Sequence, residues 1–271
     1  MTVHLSPPEA LLALGADYNR HNDALHSLYV MEMNGAQPAT AVGRQFPRTQ
    51  HLAKSALLII KALNEQPMFP SPGIRSVYAR IRQLANLALD AADHLLDAED
   101  LLDDTRVGAP SEHGVPLTAE EVREEVRGRL ILVRDLTALG ADDTLAAAEL
   151  LTTEMRRQRL LPTGPSLDLS PAQHTALRAV AQGFVTIDRH TDKPRISHDD
   201  VRISISTIRS LEARGLLGRE ETPRILHDER VHLTVDGCHT LAASFGYPRP
   251  PALTTARPAQ PRATAAPARS R

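Results

Sequence analysis

Apolar residues recur at steps of three and four over most of this chain, and that spacing predicts helices. The strongest run is Ile74, Val77, Ile81, Leu84, Ala88, Ala91, Leu95, Ala98 and Leu102. It fills the a and d positions of about four heptads. A helix of about 30 residues, roughly 45 Å long, is expected there. Ahead of it, Ser6-Pro7-Pro8-Glu9 combines a cap, a first-turn proline and an acidic third position. That string opens a helix expected to reach about Met33. Residues 34–47 read as a loop, and 48–64 as a helix through Leu52, Ala56, Ile59, Ile60 and Leu63. Pro67, Pro70, Pro72 and Gly73 then break the chain. Beyond Gly108, Pro110 and Pro116, a capping box at Thr118 to Glu121 opens a helix through Val122, Val126, Leu130, Val133 and Leu136. Gly140 interrupts it, and helical spacing resumes over 142–160 through Leu145, Ala148, Leu151 and Met155.

The pattern changes after Pro162, Gly164 and Pro165. Ser170-Pro171 caps a helix expected to end near Gln182, before Gly183. Phe184 to Ile187 alternate as a strand does, and the polar residues 188–200 read as a turn or loop. A helix from about Ser204 to Arg214 stops at Gly215. Residues 216–235 read as two strands around Pro223–Glu229, and a short helix follows Gly237. After Tyr247 the chain contains only Pro, Ala, Arg, Thr, Ser, Gln and Leu, too little apolar surface to order itself.

The strings LEARGLL (Leu211 to Leu217) and VHLTVDGCHTL (Val231 to Leu241) resemble the winged helix-turn-helix domains of the MarR and PadR families of bacterial regulators. The resemblance covers residues 168–246. It implies that the first string ends a recognition helix and enters the wing, and that the second closes the wing. The chain departs from the family pattern just before that helix, where Phe184–Ile187 and a polar stretch stand in place of a helix. The expected fold class is therefore mainly α: a helical bundle over 1–160, a winged-helix α+β domain over 168–246, and a disordered basic tail over 247–271.

Charge and composition add to this picture unevenly. Lys+Arg against Asp+Glu is 16 to 22 over residues 1–160, 11 to 11 over 161–250, and 4 to 0 over 251–271. A DNA contact would have to come from a local face and from the tail arginines. The resemblance implies duplex DNA as partner, with the helix after Ser204 in the major groove. Ile205, Ile208 and Leu211 would face inward. Ser206, Thr207, Arg209 and Ser210 would face the bases and phosphates, with Ser204 at the cap. Arg224 and Arg230 flank the wing and would reach phosphates or the minor groove, while Asp228 and Glu229 at its tip would repel the backbone. The alternative is a non-enzymatic scaffold whose winged helix touches no DNA.

Candidate chemistry elsewhere is sparse. The long helix carries Asp90, Asp93, His94 and Asp97 within two turns. Their positions lie off the apolar seam, which favours a solvated acidic face over a metal site. Arg75, Arg80 and Arg82 lie near the start of that helix, and Asp97, Glu99, Asp100, Asp103 and Asp104 near its end, opposite to what its dipole favours. An antiparallel homodimer through 74–102 would match the two halves. No phosphate-loop, dinucleotide or nucleophile-elbow string occurs, and no Cys/His pair has zinc-finger spacing. Neither an enzyme nor a cofactor is expected. With no apolar run near 18 residues, no leading signal segment and one cysteine, Cys238, a cytoplasmic location is expected, and the Ala, Leu, Pro and Arg bias suits a GC-rich bacterium.

Overall fold

The computed structural model describes residues 5–28, 38–107, 118–161, 169–197, 202–222 and 228–247, with the side chains of 105–107 left aside. The chain is mainly helical, with one small antiparallel sheet. Helix α1, Pro7–Ser27, starts where the backbone N–H of Ser6 donates to the Glu9 carboxylate at 2.8 Å. The short α2, Pro38–Gly43, and the start of α3, Phe46–Asn64, fall within the loop expected over 34–47, of which 34–37 lie outside the described residues. The long seam forms α4, Pro72–Val107, of 36 residues, longer than its apolar repeat alone predicts. It is followed by α5, Ala119–Thr137, and α6, Gly140–Arg157.

The α4 seam is buried within the chain itself. Its first half, Ile74 to Ala88, joins Leu52, Ala56 and Ile59 of α3 and Leu145, Ala148 and Leu151 of α6. Its second half, Ala91, Leu95 and Ala98, joins Val122, Val126, Leu130 and Val133 of α5 and Val42 of α2. One of the reversed charges at each end of α4 is matched from the same chain too. Arg80 pairs with Asp143 of α6 at 2.5 Å, and Asp97 with Arg129 of α5 at 2.8 Å. A dimer through 74–102 would therefore have to use the other side of α4, where Leu89 and Leu96 are exposed. Asp90, Asp93 and Asp97 lie on that exposed side, as the periodicity predicts.

Helix α1 runs through the middle of the molecule. Leu11, Leu12, Leu14 and Tyr18 are all buried, and Tyr18 donates its hydroxyl to the carbonyl of Leu84 at 3.1 Å. Gly140 is not a mere interruption. It begins α6 with its Cα against the Tyr18 ring, where a Cβ would have no room.

The C-terminal elements are α7, Pro171–Ala181; β1, Val185–Asp188; β2, Lys193–Ile196; α8, Ile205–Ala213; β3, Leu217–Glu221; β4, Asp228–Leu233; and α9, Val235–Ser244. The sheet order is β2-β1-β4-β3, all antiparallel. Strand β2 corrects the expectation of a loop over 188–200. Its hairpin turns where the Asp188 carboxylate accepts the N–H groups of His190 and Thr191, and Pro194 is tolerated because β2 is an edge strand. Gly215 has φ +70 at the end of α8, a conformation that favours glycine. Helix α1 packs against α7, α9 and β4, and one apolar cluster runs from Leu11 through Met155 to Phe245. Among the described residues, no helix is long and apolar enough to cross a membrane.

Candidate nucleic-acid interface

Helix α8 begins at Ser204, whose Oγ accepts the backbone N–H of Thr207 at 3.2 Å. Ile208 and Leu211 anchor it in the core, and Ile205 is half-buried. The opposite side leaves Ser206, Arg209, Ser210, Ala213 and Arg214 exposed, with Thr207 half-buried. The α8 residues proposed as base and phosphate contacts thus share the solvent side of one short helix, next to its cap.

Those side chains already have local partners. Ser204 Oγ lies 2.8 Å from both Ser206 Oγ and Thr207 Oγ1. Ser210 Oγ accepts from Gln173 Nε2 at 3.2 Å. Arg209 pairs with Asp192, which sits in the β1–β2 turn and also holds Arg219 at 3.0 Å. These two guanidiniums, Arg209 first, keep the Asp192 carboxyl below its usual range.

The cations of the sheet are largely neutralised. Arg189 pairs with Glu221 at 2.6 Å and Glu229 at 3.2 Å. Arg219 pairs with Glu212 at 2.6 Å. Arg195 pairs with Asp188, whose carboxyl is held down to about 2, first by the Thr191 N–H and then by Arg195 and the His190 N–H. Lys193, Arg202 and Arg214 are exposed and have no carboxylate partner among the described residues.

Two expectations for the wing need correction. Arg230 does not face solvent. It is 4% exposed, donates through Nη2 to Asp23 Oδ1 at 2.6 Å and through Nε to Oδ2, and gives Nη1 to the Gly183 carbonyl at 2.6 Å. The reason is that α1 covers the face of β4 that carries Arg230. Asp228 and Glu229 likewise form no exposed acidic tip. Asp228 is buried and accepts from Thr186 Oγ1 at 3.3 Å, while Glu229 answers Arg189. Arg224 and the basic tail beyond Tyr247 lie outside the described residues. The Asp23–Arg230 strut, the main polar link between α1 and the sheet, left no mark in the sequence pattern. Compared with protein-family models, with curated proteins and with solved structures, the chain matches none.

Proposed function

We propose that this chain is a DNA-binding protein, a transcriptional regulator rather than an enzyme, that reads duplex DNA with α8. In this reading, α7 to α9 form a winged helix of the MarR and PadR type. The helix, hairpin and helix from α8 to α9 support it, as does the pairing of β1 with β4 beside the β3–β4 hairpin. The β1–β2 hairpin takes the place of the helix that normally precedes the recognition helix. The observation that carries the reading is the solvent side of α8, where Ser206, Arg209, Ser210 and Arg214 are exposed and the β1–β2 turn reaches Arg209 through Asp192.

The Arg209–Asp192 pair does not block this role. Both side chains are open to solvent, at 62% and 37% exposure. Water screens an exposed pair of this kind, so breaking it costs little. A bidentate arginine contact to guanine discriminates against the wrong base by about 1–3 kcal/mol, so Arg209 can trade Asp192 for a base contact that carries specificity. Fluorescence anisotropy with labelled duplex at low salt tests it. Arg209→Ala combined with Ser206→Ala should abolish specific binding. Asp192→Asn, which releases Arg209 while Arg219 stays paired with Glu212, should tighten binding about tenfold or less and steepen its salt dependence. Equal affinity in all three proteins would remove α8 from the interface.

The same reading places a homodimer on the outer side of α3 and α4. Leu57, Leu58, Leu89 and Leu96 are exposed there, Lys54 and Lys61 flank them, and Asp90 and Asp93 offer opposite charge to a second copy. It also places the protein in the cytoplasm, where buried Cys238 stays a thiol. A second reading, an interaction or scaffold protein, is favoured by the neutralised arginines of the sheet. It predicts no duplex binding at any salt concentration.

A further inference from the structure

A cavity of about 560 Å³ opens between α1, the first turns of α3 and the ends of β3 and β4. Its volume is in the range of small-molecule sites, about 300–1,000 Å³. On α1, Asp17, Arg20, His21 and Ala24 line it at the i, i+3, i+4, i+7 spacing of one helix face. The opposite walls are Arg48 and Leu52 of α3 and Glu220 of β3.

The charges of this cavity are separated. Arg20 is shared between Asp17 at 2.5 Å and Glu220 at 3.1 Å, so one guanidinium faces two carboxylates. That end sets two carboxylates against Arg20, with His51 of α3 also beside Asp17, and burial pushes the Asp17 carboxyl above its usual range despite Arg20 and His51. Arg48 on the α3 side is the reverse. Its described partner is the neutral Gln45 Oε1, at 3.4 Å, and no described carboxylate lies within pairing distance. The Asp23–Arg230 pair at the base is self-compensating.

His21 lines the same cavity and keeps one buried nitrogen without a partner. It is 3% exposed, and its Nε2 lies 3.4 Å from Thr49 Oγ1. That hydroxyl donates to the Gln45 carbonyl at 3.0 Å, so Nε2 must carry the hydrogen. Nδ1 then keeps a lone pair with no donor in reach. Burial, then Arg48, holds the imidazole neutral by lowering its pKa to about 4.

We propose that this cavity binds a small zwitterion of amino-acid to dipeptide size. Its ammonium group lies against Asp17 and Glu220, its carboxylate against Arg48, and its apolar part against Leu52 and Ala24. A simple anion would leave the Asp17 end unmatched, and a simple cation would leave Arg48 unmatched. The inference does not depend on whether α8 binds DNA.

Thermal unfolding of the full chain tests it, with each of the standard amino acids and a set of apolar dipeptides as probes at ~10 mM. At least one probe should raise the midpoint saturably by several degrees, and its N-acetylated and C-amidated forms should not. Arg48→Gln and Asp17→Asn, both at partly open positions, should each weaken that probe about tenfold or more while leaving the ligand-free midpoint nearly unchanged. The proposal is overturned if no zwitterion shifts the midpoint. It is also overturned if an active probe keeps its affinity after acetylation or amidation, or in Arg48→Gln.

Discussion

Breaking the Asp23–Arg230 pair one side at a time should cost far more than removing both partners. The two residues are 207 positions apart, their side chains are 4% and 5% exposed, and the guanidinium donates to both carboxylate oxygens. Thr222 Oγ1 adds a third bond to Asp23 at 3.1 Å, and Gly183 O takes the remaining arm of Arg230. Arg230→Met leaves a carboxylate in the interior beside one hydroxyl. Asp23→Leu leaves a guanidinium there with a single carbonyl. Each single change should cost about 3–5 kcal/mol, because an unmatched charge stays buried. At about 2–4 °C per kcal/mol for a chain of this size, the midpoint should fall by about 6–20 °C. The double variant removes both charges and should be more stable than either single one, which makes the two changes strongly non-additive. Urea unfolding followed by circular dichroism gives all four values. Additive losses, or single losses below about 1 kcal/mol, would mean that the pair is solvated and does not tie α1 to β4.

The remaining predictions use the same interior. His21 titrates near 4 in the folded chain and near 6.5 when unfolded, so between those values the unfolded chain alone binds the proton. Stability should fall as pH drops from about 6.5 to 4, by about 3 kcal/mol from this group, and be unaffected by it above that window. Urea midpoints taken across the range should lose this component in His21→Gln; identical pH profiles for the two proteins would show that His21 reaches solvent. Gly140→Ala sets a methyl group against the Tyr18 ring and should destabilise by about 1–3 kcal/mol, despite alanine's better helix propensity. A neutral or stabilising result in the same assay would mean that α1 and α6 separate easily.

The helices were readable where a long period or a cap announced them. From Ile74 to Ala98 the α4 seam marked its buried side, and the box at Thr118–Glu121 and the cap at Ser170 both form. What the seam met was not readable, because an a/d repeat packs equally well on a second copy or on α3, α5 and α6. Helix α2 is too short, at six residues, to show a period. Strand β2 reads Lys-Pro-Arg-Ile and owes its existence to pairing with β1, not to its own alternation. On α8 the split between Ile208 and Leu211 inside and Ser206, Arg209 and Ser210 outside followed directly from helical spacing. Arg230 did not follow, since a strand covered on both faces can direct an arginine inward when a distant aspartate waits for it. The cavity between α1, α3 and β3 likewise joins segments that lie about 200 residues apart and share no local pattern.

The central claim is that α8 reads duplex DNA, and selection of bound fragments from the source genome tests it most directly. The full chain, immobilised and washed at moderate salt, should enrich fragments that share a short motif, arranged as two half-sites if the protein dimerises. Arg209→Ala should lose that enrichment while keeping the wild-type unfolding midpoint. Recovery of fragments with no common motif, or the same motif in the variant, would contradict the account.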